Sequence, residues 1–285
     1  MNKYLILYNP YSENSRGLDY AKMLQEELKF SSILMDITKV SNLTDLVSNT
    51  DYQIILCGGD GTINHFVNNC DYSNTYHSIL YYPTGSGNDF YRDVEDTSNE
   101  FGLVKLTPFI ADLPRVTFSN TSFKFINGVG SGIDGYICNN AEMLKRNSDK
   151  KINYTTLAVK ALLFEYKPCD CEIVVDGIKY SFNNVWLASV MKGKYYGGGF
   201  MISPNQDRYV STISTIVLNT KSKLKALANF PSIYAGKHIE KENLVHELVG
   251  TDVSVRMDRK SPIQIDGEVF PDIQEYNVKT KKLVK

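Results

Sequence analysis

Two glycine-rich turns carry the residues best suited to chemistry. Gly58-Gly59-Asp60-Gly61-Thr62 follows an apolar run and precedes an amphipathic stretch, and Pro83-Thr84-Gly85-Ser86-Gly87-Asn88-Asp89-Phe90 follows a second such run. Positions without side chains let backbone N–H groups close around phosphate oxygens, and the start of a helix adds partial positive charge. A carboxylate inside such an anion nest is out of place unless a divalent cation stands between it and the phosphates, so Asp60 points to metal-assisted phosphoryl transfer. Each turn read alone has an ordinary alternative. The first could be a tight turn capped by Asp60, and the second a Pro-Thr-Gly turn with Asn88 or Asp89 capping the next helix. Neither carries the Gly-Lys-Ser/Thr of a Walker A loop or the Gly-x-Gly-x-x-Gly of a dinucleotide-binding turn.

The elements that position these turns alternate. Apolar runs at Lys3 to Tyr8, Ser32 to Ile37, Gln53 to Cys57 and Ser78 to Tyr82 read as strands. Between them, Leu18, Ala21, Leu24 and Leu28 follow helical spacing, Leu43 to Val47 reads as a short helix, and Ile63, Phe66 and Val67 share one helical face. Strand–helix alternation predicts a parallel sheet with ligand loops at the carboxyl ends of its strands. From about Arg115 the pattern changes to short strand-like runs, at Val116 to Phe118, Phe123 to Ile126, Glu172 to Val175, Val185 to Met191, Ile213 to Leu218 and Val253 to Met257. An antiparallel β domain is expected there, with one clear helix over Ile152 to Glu165, in which Leu157, Ala161 and Phe164 are roughly in register, and a hairpin turn at Asp176-Gly177.

A chain of 285 residues lies near the size at which a single core stops growing. The expected division is an α/β domain over 1–115 and a β domain over 116–271. With 31 Lys+Arg against 32 Asp+Glu, the formal net charge of −1 excludes a global field for nucleic acid or an anionic bilayer, so any such contact is local. There is no run of 18 apolar residues, and Met1 to Tyr8 is too short for a signal peptide, which reads as a cytoplasmic protein. Five cysteines in such a context imply reduced thiols. Cys57 and Cys70 read as core fillers. Cys169 and Cys171 are too close in sequence for an easy disulfide and complete no zinc spacing.

At this level of detail the sequence resembles the diacylglycerol kinase catalytic-domain family of lipid kinases, which includes bacterial soluble diacylglycerol kinases and sphingosine kinases. The resemblance runs nearly end to end. It is carried by Tyr8-Asn9-Pro10 with Ser12, Gly58 to Asn64, Pro83 to Phe90, Asn127-Gly128-Val129-Gly130-Ser131-Gly132-Ile133-Asp134, Tyr196-Gly197-Gly198-Gly199-Phe200, Gly236-Lys237-His238-Ile239 and Asp266-Gly267-Glu268. It implies a three-layer α/β nucleotide-binding domain followed by an antiparallel β-sandwich that receives the lipid, with residues 272–285 packing back on the first domain. It implies ATP and Mg²⁺ as cofactors and transfer of the γ-phosphate to the hydroxyl of diacylglycerol or a related lipid alcohol. Asn9, Pro10, Ser12, Thr38, Gly58, Gly59, Asp60, Gly61, Thr62, Asn64, Ser86 and Asn88 would line the ATP site. Asp60, Asp89 and Asp112 would hold Mg²⁺ through its waters, Arg92 would meet phosphate or head group, and Glu268 would be the general base.

Several of these residues have structural competitors in the sequence. Asp112 could start a turn before Leu113-Pro114, Arg92 could pair with Asp93 or Glu95, and Asp266-Gly267-Glu268 is a good hairpin turn. The chain also departs from the family. His65 stands where a Glu is usual and reads as a core residue. Asp207-Arg208-Tyr209-Val210-Ser211 replaces an acidic-Gly pair that belongs to a second, structural Mg²⁺ site in some members, which implies loss of that metal. A lipid kinase must touch the interface, and the candidate patches are Lys192/Lys194 with Tyr195/Tyr196, the Lys221-Ser222-Lys223-Leu224-Lys225 run, and Lys237. The expected setting is cytoplasmic and peripheral to the inner face of the membrane, without nucleic acid, and compatible with a homodimer. Two other readings compete: an NAD kinase-like phosphotransferase, and a noncatalytic nucleotide- or lipid-binding regulator.

Overall fold

The structure is a computed structural model that describes residues 3–75, 77–147 and 154–280. It divides into two compact units, Met1–Leu113 with Gly197–Gly199, and Pro114–Tyr196 with Phe200–Lys285.

The first unit runs β1 (Lys3–Tyr8), the single turn α1 (Ser12–Ser15), α2 (Gly17–Leu28), β2 (Ser31–Asp36), α3 (Leu43–Asn49), β3 (Gln53–Gly58), α4 (Asp60–Asn69), β4 (Leu80–Pro83), α5 (Asp89–Val94), β5 (Val104–Lys105) and α6 (Thr107–Ile110). Its sheet has the order β2-β1-β3-β4-β5, parallel except for β5 against β4. Strands buried on both faces need apolar side chains in unbroken runs, which is why Leu5-Ile6-Leu7 and Ile54-Ile55-Leu56-Cys57 show no alternation. Ala21, Leu24 and Leu28 of α2 pack on Tyr4, Ile6 and Ile55, whereas Leu18, expected on the same face, is exposed. The strand order reverses between β1 and β3, and that switch point is where an open α/β sheet leaves a crevice at its carboxyl edge.

The second unit comprises β6 (Arg115–Phe118), β7 (Thr121–Lys124), β8 (Gly128–Gly132), α7 (Ile133–Asn147), α8 (Tyr154–Lys160), β9 (Cys169–Val175), β10 (Ile178–Met191), β11 (Tyr195–Tyr196), β12 (Phe200–Met201), β13 (Ile213–Asn219), α9 (Lys223–Tyr234), β14 (Val245–Gly250), β15 (Asp252–Ile265) and β16 (Glu268–Lys279). Nine strands form one sheet in the order β14-β13-β10-β8-β15-β16-β6-β7, with β9 paired to both β10 and β15. Register shifts within β10 and β15 let each strand pair with β9 along one half and with β8 along the other. The sheet thereby folds around an apolar core that includes Val129, Ile173, Val190, Val255 and Tyr276. On another face, α9 and the segment after α8 cover Trp186, Leu187 and Met191.

Three sequence expectations are corrected here. Residues 272–279 belong to β16 and pair with β15 and β6, so this segment is part of the second unit's sheet and not an extension of the first; residues 281–285 lie outside the described residues. The second half holds more helix than its strand-like runs imply. The polar Asn139-Asn140 and Lys145-Arg146 dilute the apolar spacing of α7, and Pro231 interrupts the pattern of α9. The helix read over Ile152 to Glu165 ends at Lys160 and gives way to a π-helical turn, Ala161–Glu165, which swings Phe164 out of register to 77% exposure; Ile152 lies outside the described residues. Asp176-Gly177 makes the expected hairpin, with φ of 48° and 87° matching the mirror-image turn that suits twisted strands.

Candidate active site

Beside the switch point of the first unit, at the carboxyl ends of β3 and β4, the glycine turns meet backbone to backbone. The Gly58 carbonyl accepts from Thr84 N–H (2.8 Å) and from the Tyr81 hydroxyl (3.0 Å). A β-carbon added to Gly85 would lie 2.6 Å from the Gly59 α-carbon, closer than side-chain carbons pack. A β-carbon on Gly58 would strike the Thr62 side chain at 2.3 Å. Gly59 and Gly85 are glycine because the two loops fill each other's side-chain space, and Gly58 because Thr62 of its own turn fills it. Gly61 differs, for a β-carbon there would meet nothing within 4 Å, and it stands exposed in the first turn of α4.

Asn9 ties the end of β1 into the same junction. Its backbone N–H donates to the Cys57 carbonyl (3.1 Å), its side-chain amide to Thr62 Oγ1 (3.0 Å), and its Oδ1 accepts from Tyr11 N–H (3.0 Å). The Asn9 carbonyl in turn accepts from the N–H of Ser12, which is buried. Glu13, Asn14 and Ser15 beyond it all have left-handed backbone, at φ of 44°, 57° and 65°. Such conformations cost L-residues about 1–2 kcal/mol each, so the loop after β1 is a shaped element rather than a slack one.

The two aspartates are linked through backbone. Asp60 Oδ2 accepts from Asp89 N–H (2.9 Å) and Oδ1 from Phe90 N–H (2.8 Å), so Asp60 supplies the cap of α5. Asn88, expected as a cap, has φ of 50° and turns its Oδ1 back to Gly85 N–H at 2.9 Å. Asp89 passes the pattern on: Oδ2 accepts from Gly198 N–H (2.8 Å) and Oδ1 from Gly199 N–H (2.7 Å). A β-carbon on Gly87 would sit 3.6 Å from Asp60 Oδ2, from Asp89 Oδ2 and from the Gly198 α-carbon, which marks the point where three loops converge. Burial, and after it the neighbouring Asp60 charge, push the Asp89 carboxyl up to about 6, against the two glycine N–H groups and Arg92.

The remaining expected residues of this unit are more scattered. Thr38 is exposed after β2 and spends both its N–H (2.9 Å) and its hydroxyl (2.7 Å) on Asp36 Oδ1, holding that carboxyl below its usual range. Arg92 is exposed on α5, its guanidinium carbon 3.4 Å from where a Gly199 β-carbon would stand. Ser86 is exposed at the tip of the second loop, and Asn64 is buried on α4. His65 is exposed, with the Asn69 amide 3.2 Å from its Nδ1, which corrects the core reading: one residue beyond buried Asn64, the helix has turned outward. Asp112 is exposed at the end of the unit. Asp60, Asp89 and Asp112 do not gather into one direct metal-ligating group, and among the described residues no three His, Cys, Asp or Glu side chains do. All five cysteines are free, and burial raises the Cys57 thiol to about 12.

In the second unit Asp266-Gly267 is a mirror-image hairpin turn, with φ of 46° and 90°, that presents exposed Glu268 at the start of β16. The turn is also an anchor. Asp266 Oδ2 accepts from Ile126 N–H (2.7 Å), and Oδ1 from the N–H groups of Asn127 (2.9 Å) and Gly128 (3.0 Å). Gly267 N–H donates to Gln264 Oε1 (2.8 Å), and Gln264 Nε2 to Asp134 Oδ2 (2.9 Å). Burial raises the Asp134 carboxyl to about 6 despite hydrogen bonds from Gln264 and Tyr196. From the other side, the buried Arg208 donates to the Ile126 carbonyl and to Asn127 Oδ1, both at 2.5 Å, and the buried Lys192 ammonium to the Val210 carbonyl at 2.5 Å. Protein cations therefore hold the stretch where the resemblance implies a lost metal. With Lys192 and Tyr196 buried, the Lys192/Lys194 surface patch expected from sequence does not form. The Asp266 anchor and the Arg208 clamp escape sequence reading because their partners, mostly backbone groups, lie far away in the chain.

Two family profiles cover the described elements. The one described as the diacylglycerol kinase catalytic domain matches residues 3–106, and the one described as the YegS C-terminal NAD kinase beta sandwich-like domain matches residues 127–279, more than half of the chain. The chain belongs to the family that these two profiles define together, a diacylglycerol kinase catalytic domain followed by a YegS-type β-sandwich-like domain. Among relatives of this family, a diacylglycerol kinase of Mycobacterium tuberculosis is 26% identical over 200 residues, covering 66% of this chain. The chain spans 61% of that relative's length. YtlR of Bacillus subtilis, provisionally named a lipid kinase, is 23% identical over 308 residues, with 95% of this chain and 94% of the relative covered. A crystal structure of a diacylglycerol kinase from Bacillus anthracis superposes with a TM-score of 0.62 at 16% identity, covering 98% and 93% of the two chains, a likeness of fold. The architecture of the family, an α/β unit with a parallel sheet followed by a β-sandwich-like unit, is the one observed.

Proposed function

We propose that the chain is a lipid kinase that uses ATP and Mg²⁺ to phosphorylate the hydroxyl of diacylglycerol or a related lipid alcohol. The observation that carries this reading is the convergence at Gly87, where two glycine turns, Asp60, Asp89 and the Gly198 backbone come together at the carboxyl edge of a parallel sheet. Open backbone at Gly61 and the N-terminus of α4 suit phosphate oxygens. The Gly58 carbonyl and the Asp60 carboxylate, through the N–H groups of Thr84, Asp89 and Phe90, hold the first loop in register with the second, so the chain would orient its nucleotide by backbone and not by a lysine.

The donor set fits a hydrated cation. A carboxylate oxygen can accept more than one hydrogen bond, so Asp60 and Asp89, beside the backbone N–H groups they accept, would take waters of Mg²⁺, an ion that sheds its waters reluctantly. Mg²⁺ would supply neutralisation of the charge that builds on the phosphoryl oxygens. Arg92, on the helix capped by Asp60, would add a fixed cation for a phosphate. Glu268 would accept the proton of the acceptor hydroxyl, on a turn that Asp266 fixes through three N–H groups.

An assay with labelled ATP against a panel of lipid alcohols, NAD as a further acceptor and Asp60→Ala as the blank tests this. Label in lipid supports the reading. Label in NAD alone would favour the second reading, which the description of the profile over residues 127–279 keeps in view. No label in any acceptor, with ATP bound, would leave a binding protein.

A further inference from the structure

Single exposed apolar side chains are ordinary, but adjoining ones ringed by charge of one sign are not. Phe164 and Leu224 are 77% and 74% exposed, among the most exposed large apolar residues described in the chain. They lie on elements in contact: Phe164 on the π turn after α8, and Leu224 in the first turn of α9. A hydrogen bond joins the two elements at these residues, from the Lys223 ammonium to the Leu163 carbonyl at 3.3 Å, so the neighbour of one apolar side chain grips the neighbour of the other.

The charge around them is one-sided. Lys221, Lys223 and Lys225 flank Leu224 and are exposed, and Lys167 follows the π turn. The segment from Lys221 to Tyr234 contains no acidic residue. The carboxylate beside Phe164, Glu165, is neutralised by Lys160 at 2.6 Å. The π turn is what creates the site: continued α-helical winding would have carried Phe164 round with its neighbours Ala161 and Leu162, which are buried.

We propose that this corner of the second unit docks on an anionic bilayer, with Phe164 and Leu224 entering the headgroup–acyl boundary and the lysines lying among acidic head groups. The inference rests on the lipid-kinase reading for its purpose and sharpens the membrane contact expected from sequence by adding Phe164 and dropping Lys192. Each lysine brought to an anionic surface strengthens binding about fivefold, and two apolar anchors add roughly tenfold or more.

The test is flotation of the full chain, without ATP, on phosphatidylcholine vesicles with and without phosphatidylglycerol. The wild type is expected to float with the anionic vesicles and to be released by salt. Phe164→Ser with Leu224→Ser should weaken partition about tenfold at an unchanged melting temperature. Lys221→Glu with Lys225→Glu should abolish flotation, and it serves as the second variant should the first misfold. Equal flotation of wild type and both variants, or failure of the wild type to float, would overturn the proposal. Flotation reads docking alone. If docking holds and no lipid alcohol is phosphorylated, the kinase reading falls and the docking surface stands. If a short-chain soluble lipid alcohol is phosphorylated and nothing floats, the reverse holds.

Discussion

Asp60 accepts the Asp89 backbone N–H at 2.9 Å through one carboxylate oxygen while the other takes Phe90 N–H at 2.8 Å, so a residue of the first glycine turn forms the cap of the helix that follows the second. The acid that the phosphoryl-transfer reading assigns to a cation is therefore also a structural joint. Asp60→Ala leaves two helix-terminal N–H groups without their acceptor and should destabilise the unit by about 1–3 kcal/mol, whereas Asp60→Asn, which retains one acceptor oxygen, should lose less. Both should abolish phosphoryl transfer. Urea unfolding beside turnover separates the two roles: a stability loss as large for Asn as for Ala would contradict the capping account.

The glycines divide into two kinds. Gly85→Ala places a β-carbon 2.6 Å from the Gly59 backbone, which cannot yield as a side chain would, and is expected to cost about 1–3 kcal/mol and nucleotide binding together. Gly61→Ala meets no atom within 4 Å and replaces a glycine in a helix, so the protein should become more stable by up to about 1 kcal/mol. If phosphate occupies that open space, ATP affinity nevertheless falls. Calorimetric titration with ATP and a melting curve on the same variant check it; a stabilised Gly61→Ala protein with undiminished affinity would place the phosphates elsewhere.

The α/β half was legible because its signals are local: unbroken apolar runs, helical spacing, and glycine turns immediately after strands. Asp60, Asp89 and Gly85 could be found from sequence for that reason. The Asp89 grip on Gly198 and Gly199 bridges more than a hundred positions and uses only backbone donors, so no side-chain pattern announces it. Phe164 was misread because a π turn breaks the 3.6-residue period without altering composition. The placement of residues 272–279 followed the family expectation and not the residues themselves, where Tyr276 and Val278 alternate as a strand facing the second unit's core.

Asp134 makes a pH prediction. Its carboxyl is raised by burial from 3.8 to about 6 in the folded chain. Below both values it is protonated in either state and contributes nothing. As pH rises between them the unfolded chain releases the proton first, so stability declines across this window and levels off above it. Asp134→Asn should remove that share of the slope between about pH 4 and pH 6, read as the difference in melting temperature between variant and wild type. Parallel slopes would mean that Asp134 ionises as freely folded as unfolded.

Chelation should affect the two units differently. Arg208 and Lys192 supply the cations that hold the 207–211 stretch, so removal of divalent ions by EDTA should leave the thermal unfolding of the second unit unchanged while abolishing transfer. Arg208→Ala should lower that melting temperature, because the Ile126 carbonyl and the Asn127 side chain lose a charged donor in a buried setting, a loss of about 1–3 kcal/mol. A melting temperature restored to the variant by added Mg²⁺ and absent from the EDTA-treated wild type would show a metal performing the task assigned to Arg208.

Glu268 and Asp266 lie two positions apart and should fail in different ways. Asp266 accepts three backbone N–H groups, so Asp266→Ala should destabilise the second unit and lower activity in proportion to unfolding. Glu268 is exposed beside that anchor, and Glu268→Gln keeps its shape while removing the carboxylate proposed as the base. The variant should melt as the wild type does, bind ATP equally well, and lose a factor of about 10²–10⁴ in turnover. Raising the pH should not rescue it, because the missing group is an acceptor and not one held in the wrong protonation state. A Glu268→Gln protein with turnover within a few-fold of wild type would assign the proton to another acceptor and leave the Asp266 turn a purely structural hairpin.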